Sequence, residues 1–145
     1  MANSLSIVTL AISLFAATAA RAAEPAEGAG LGGTSWQLVQ FAGGDGTKIK
    51  PGDGSRYTLQ FMTDGKLAAR IDCNRGHGSW ESKEPSQLRF GPMAATRAMC
   101  PPGSMHDRLV KDLPHVRSYM LKDGHLFLSL MADAGIYEFE PTAAK

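Results

Sequence analysis

Charge imbalance, long apolar runs and cysteine are all scarce in this chain, and each scarcity excludes something. Fifteen Lys and Arg stand against 14 Asp and Glu in 145 residues, a formal net charge of +1. A near-neutral chain with interspersed charges has no electrostatic attraction to nucleic acid or to an anionic membrane surface. Beyond the first 22 residues no second hydrophobic stretch occurs, and no internal repeat is present. Gly76-His77-Gly78 lacks the strand-to-helix setting, with Lys or Ser/Thr following, that a phosphate cradle needs. The only cysteines are Cys73 and Cys100, so sulfur chemistry is confined to one pair.

What is present begins with an export signal. Residues 7–14, extended by Phe15, form an apolar core of signal length that is short for a bilayer span. Ala17-Thr18-Ala19 and Ala20-Arg21-Ala22 follow as small-x-small cleavage options, although no Lys or Arg precedes the core. The expectation is a cleaved signal over 1–22, a Glu-, Pro- and Gly-rich linker over 23–30, and one folded domain over 31–141. Loss of Arg21 with the signal leaves 14 cations against 14 anions. No cysteine lies near either cleavage option, which excludes a lipid anchor there. The expected location is periplasmic or secreted, with no membrane anchor after cleavage.

The remaining chain reads as strands joined by hairpins. Residues 34–41 alternate, with Trp36, Leu38 and Gln40 on one face and Gln37, Val39 and Phe41 on the other. A small edge strand is expected over 47–50. Tyr57, Leu59 and Phe61 alternate with Thr58 and Gln60, and Asp64-Gly65 turns this strand into 67–71. Residues 78–81 and 87–90 form a further short pair around Glu84-Pro85-Ser86. A helix over 104–113 opens at Ser104, whose hydroxyl is placed to cap it with Asp107 in the capping-box position. Met105, Leu109 and Leu113 lie at helical spacing, and Pro114 ends the helix. A meander over 116–121, 126–131 and 136–140 completes the chain, with a turn at Lys122-Asp123-Gly124. The fold class is α+β: a curved antiparallel sheet covered by one helix.

Three chemistries are open to the cysteines. Cys73 and Cys100 form a disulfide, the default in an oxidising compartment; or they bind metal with His77 and His106; or one is a nucleophile paired with a His. The metal spacings fall outside the usual zinc patterns, and nothing marks either cysteine as a nucleophile, so the disulfide is favoured. It would close a loop of about 28 residues, worth roughly 3–4 kcal/mol on a chain-entropy model. Asn74, Gly76 and Gly78 are expected to allow a tight left-handed turn beside it, with a ligand loop as the alternative. Thr96 and Arg97 lie near Cys100. Thr96 is expected to satisfy backbone groups and Arg97 to bond carbonyls or a carboxylate, with anion or peptide binding as the alternative. Met93, Met99, Met105, Met120 and Met131 are expected in the core, although a Met-rich interior would also suit an apolar ligand.

The ordered set of these segments resembles the META/HslJ family of exported bacterial domains. The motifs that carry the resemblance are Gly33-Thr34-Ser35-Trp36, Leu59-Gln60-Phe61 with Asp64-Gly65, Cys73-Asn74, and Gly78 with Trp80. Leu88-Arg89-Phe90-Gly91-Pro92-Met93, running into Ala95-Thr96-Arg97 and Met99-Cys100, continues the order. The resemblance implies a partly open antiparallel β-barrel with a helix packed across it, akin to secretin-pilot lipoproteins. It also implies a stress-associated role, linked to heat shock and aminocoumarin tolerance, with no established reaction. Asp72 departs from the family, where glycine is usual, and His77 stands where an aromatic is common. The expected function is a non-enzymatic, monomeric binding or scaffold domain in envelope stress, without cofactor or metal, whose partner is an unidentified protein or small apolar ligand. A carrier holding a lipid or hydrophobic peptide in an open barrel is the alternative. Asn74, Gly78, Trp80, Thr96 and Arg97 are the motif positions proposed for binding.

Overall fold

Every strand in the fold has an antiparallel partner. The computed structural model describes residues 30–142; the expected signal segment and all of the linker before Gly30 lie outside them. In chain order the strands are β1 (Thr34–Gly43), β2 (Lys48–Ile49), β3 (Tyr57–Phe61), β4 (Lys66–Ile71), β5 (Asn74–Glu81), β6 (Arg89–Phe90) and β7 (Ala94–Ala95). The helix α1 (His106–Asp112) precedes β8 (Val116–Lys122), β9 (His125–Leu130) and β10 (Gly135–Pro141). They pair in the order β6-β5-β4-β3-β1-β10-β9-β8, with β2 added to β1 and β7 to β5. The ends of this order almost meet. Gln87 bridges Ser118, Leu88 N–H donates to Arg117 O (3.1 Å), and Tyr119 N–H donates to Ser86 O (2.8 Å). The result is a nearly closed antiparallel barrel with one unsealed seam and a single helix.

Pairing corrects two features of the alternation pattern. In β1 the register slips between Leu38, opposite Phe139, and Gln40, opposite Glu138. The β-bulge at Val39 turns Phe41 to the same interior face as Trp36 and Leu38, where a regular strand would hold it outside. β5 begins at Asn74, four residues earlier than the pattern suggests, because Ile71 pairs directly with Asn74 across a tight Asp72-Cys73 link. The expected strand over 87–90 is divided: Arg89 and Phe90 pair with β5, while Gln87 crosses to β8.

Leucines and aromatics fill the interior, with Leu59, Phe61, Leu126, Leu128 and Phe139 wholly excluded from solvent. Leu109 on α1, with Met105 and Leu113 capping its two ends, is buried against them, as the spacing requires. Pro114 converts the helix end to a 3-10 turn, Leu113–His115. The helix starts at His106, and the cap differs from the expected box. Ser104 Oγ accepts from His106 N–H (3.1 Å), but Asp107 bonds His106 Nδ1 (2.9 Å) instead of reaching back. The methionine core is also corrected. Met105 is buried and Met93 packs against the core, whereas Met99, Met120 and Met131 face solvent. Among the described residues the interior thus holds Met105, with Met93 at its edge, instead of a lining of five methionines.

Candidate functional site

Residues 91–104 form a strap that leaves the sheet at β6, runs past β5 and leads into α1. Its course is set by small residues on β5. A Cβ on Gly76 would lie 2.8 Å from Met93 Sδ, and one on Gly78 would lie 3.1 Å from Pro92 O. These glycines are strand residues that admit a close neighbour; neither supplies the left-handed turn expected of them. That conformation falls on Asp72 (φ 57°) instead. Asp72 is buried and its Oδ1 lies 2.8 Å from Arg56 Nε, while its N–H donates to Arg56 O (2.7 Å).

Asn74 fastens the strap to the barrel. It is fully buried: its Nδ2 donates to Ala98 O (2.9 Å), and its Oδ1 accepts from Ala98 N–H (2.7 Å) and from Thr96 Oγ1 (2.8 Å). Thr96 Oγ1 in turn accepts from Arg75 N–H (3.0 Å), and Thr96 N–H donates to Arg75 O (3.0 Å). Cys73 and Cys100 are bonded to each other (S–S 2.01 Å, Cα–Cα 5.5 Å), so neither sulfur is left for a metal or as a nucleophile. His77 projects outward from β5, away from the strap's inner contacts. Thr96 thus satisfies backbone groups as anticipated. Arg97 does not: it is exposed and has no hydrogen-bond or ion-pair partner among the described residues. Trp80 is a packing residue, edge-on to Phe61 (5.4 Å) with its Nε1–H donating to Met62 O (3.1 Å).

A groove runs between the strap and α1. Its polar end is a hollow of about 860 Å³ bounded by residues 93–104 and by His106, Asp107 and Val110. An adjoining hollow of about 430 Å³ shares Met93, Ala95 and Val110 and continues to Phe90, Leu113 and Pro114, an apolar lining. Met99, at 98% exposure, stands on its rim. The motif residues are therefore divided. Asn74, Gly78, Thr96 and the disulfide hold the strap, Trp80 belongs to the barrel, and Arg97 alone among them presents a free charged group to the groove. Val110 and the pairing of Arg56 with Asp72 carry no sequence signal of their own. The alternation of Ala94, Thr96 and Ala98 with Ala95, Arg97 and Met99 is the pattern from which an extended strap is readable.

At the other end of α1, Tyr137 Oη donates to Asp112 Oδ2 (2.7 Å). Burial first, then the Asp112 carboxylate, pushes the Tyr137 phenol well above its ordinary range. Arg108 lies over the Phe41 ring at 5.0 Å. Both contacts tie the helix to the barrel.

These features define a class: a small antiparallel barrel whose last crossing is a disulfide-stapled strap beside one helix. The META domain family model matches residues 29–142, and the chain belongs to that family. Among solved structures, a protein from Burkholderia xenovorans studied by NMR is similar at TM-score 0.68 and 22% identity, covering 99% of this chain and 100% of that one. A DUF4847-family protein from Bacteroides vulgatus is similar at TM-score 0.58 and 13% identity, covering 79% of this chain and 96% of that one. At these identities the likeness is one of fold. No curated protein matches the chain.

Proposed function

We propose that this META domain is an exported, non-enzymatic binding module of the cell envelope, and that it binds in the groove between the strap and α1. One observation carries the reading. The strap is the part of the fold most heavily fastened from behind, by the disulfide and the Asn74–Thr96 network, yet its front edge borders an open, partly apolar groove. Fixing an otherwise irregular segment in one conformation lowers the cost of binding to it. The groove holds few ionisable groups. His106 is bonded to Asp107, Arg97 stands alone, and Cys100 is in a disulfide. A binding role needs no more than this, whereas acid–base catalysis calls for converging groups. Export rests on the apolar N-terminal segment and on the disulfide, which persists in oxidising compartments. The envelope-stress part of the reading is supported by the resemblance alone. The carrier alternative is favoured at the seam, not within the filled barrel, because Phe90, Met93, Leu113 and Pro114 line an apolar hollow there.

The test is position-dependent photocrosslinking in the host. A photoreactive residue at Val110 is expected to give a defined adduct in the envelope fraction, and one at Gln60 on the opposite outer face none. Equal labelling from both sites would overturn the groove as the binding face, and recovery of the protein with free thiols in the cytoplasm would overturn export.

A further inference from the structure

Alternation around β7 leaves one edge of the strap facing away from β5. Thr96 N–H is turned toward β5 by its bond to Arg75 O, and Ala98 N–H by its bond to Asn74 Oδ1. Ala95, opposite Gly76, falls between hydrogen-bonded pairs. The backbone groups of Ala95 and Arg97 therefore point the other way, into the groove, and among the described residues no strand lies on that side of β7. The facing wall is helical, with Val110 exposed toward the gap. An edge strand and a helix flank thus face each other across open space.

We infer that the groove receives an extended peptide segment, which adds to the strap as a strand and places a carboxylate against Arg97. This rests on the binding reading above and names its occupant. An acyl chain would fill the apolar end but leave the Ala95 and Arg97 N–H groups without acceptors, whereas a peptide backbone supplies them in register. Alternate side chains of such a strand would reach Met93 and Val110, and the others solvent. Charge points the same way. Arg97 lines the groove without an ion-pair partner among the described residues, and its guanidinium complements an acidic residue or free C-terminus.

The probes are two synthetic peptides, acetyl-Val-Thr-Val-Thr-Val-Thr-Asp and its analogue with Leu for Val, with dodecanoate as the apolar comparison. Amide hydrogen exchange of the oxidised domain is expected to slow at least tenfold at Ala95 and Arg97 with a peptide present, and to stay unchanged there with dodecanoate. Ala95→Pro, which removes a groove-facing donor and no bond to β5, is expected to weaken peptide binding at least tenfold. Ala95→Gly, which keeps the donor, is expected to leave it within twofold. Arg97→Gln, which removes the cation offered to the terminal Asp, is expected to weaken binding of both peptides. Strand addition is overturned, while the groove survives as a binding face, if dodecanoate shifts the Met93 and Val110 methyl signals but neither peptide protects the edge amides. If no probe perturbs the groove, both readings fall.

Discussion

Asn74 concentrates more of the strap's attachment than any other side chain. Its amide has both of its polar atoms committed in a site without solvent, so truncation would leave Ala98 N–H, Ala98 O and Thr96 Oγ1 short of partners at once. Asn74→Ala is expected to cost about 2–3 kcal/mol in urea denaturation of the oxidised protein. A loss below about 1 kcal/mol would mean that water or the disulfide substitutes for the amide. Asp72 poses a different question, because backbone and side chain pull in opposite directions. Its left-handed φ is a conformation that costs an L-residue roughly 1 kcal/mol or more and costs glycine nothing. Its carboxylate meanwhile neutralises Arg56. Asp72→Ala loses the ion pair and keeps the strain, whereas Asp72→Gly loses the ion pair and relieves it. The glycine variant is therefore expected to be more stable than the alanine variant by about 1 kcal/mol, read from paired urea midpoints. Equal midpoints would sink the idea that the backbone angle is strained.

At the scale of elements, α1 is held at two ends by different means: apolar packing of Met105, Leu109 and Leu113, and the Tyr137–Asp112 hydrogen bond. Because the Tyr137 pKa is raised on folding, the native state keeps its proton while the unfolded chain gives it up near pH 10. The contribution is whole below that pH and is lost progressively as pH climbs above it. Tyr137→Phe is expected to lower stability by about 1–2 kcal/mol at pH 7 and to flatten the decline between pH 10 and 12, measured by urea titration at several pH values. Parallel alkaline limbs in the two proteins would contradict this. Hairpins and helix were legible in the sequence because their signals are local: Asp64-Gly65, Asp123-Gly124, and the four-residue spacing of Met105, Leu109 and Leu113. The bulge at Val39 was not, since it arises from accommodating β10, a strand distant along the chain. Gly76 and Gly78 misled because glycine marks both turns and close approaches, and only the position of Met93 and Pro92 decides between them. The site was half legible. The motif residues that hold the strap stood out, while the groove itself depends on α1 staying clear of β7.

For the whole molecule, the barrel and the strap differ in what stabilises them. The barrel is built on one nearly continuous ladder and filled by leucine and aromatic side chains; the strap buries little and relies on side-chain hydrogen bonds and one covalent link. The disulfide joins the β4–β5 link to the strap's end, so it constrains residues 73–100 and leaves the β8–β10 meander and β1 untouched. Two consequences separate. Global stability should fall on removing the bridge by roughly 3–4 kcal/mol, the chain-entropy value for a loop of about 28 residues, because the unfolded state regains that freedom. The barrel itself should remain folded, since that loss lies within the 5–15 kcal/mol or so typical of a domain. The double variant Cys73→Ala/Cys100→Ala is thus expected to keep the near-ultraviolet circular dichroism of Trp36 and Trp80 without denaturant, to unfold at lower urea, and to exchange the Ala98 amide faster than amides of β10. Loss of the aromatic signal in plain buffer would show instead that closure of the barrel waits on the strap. The strap would then be part of the core's assembly, and the division between a sealed scaffold and a stapled binding edge would fail.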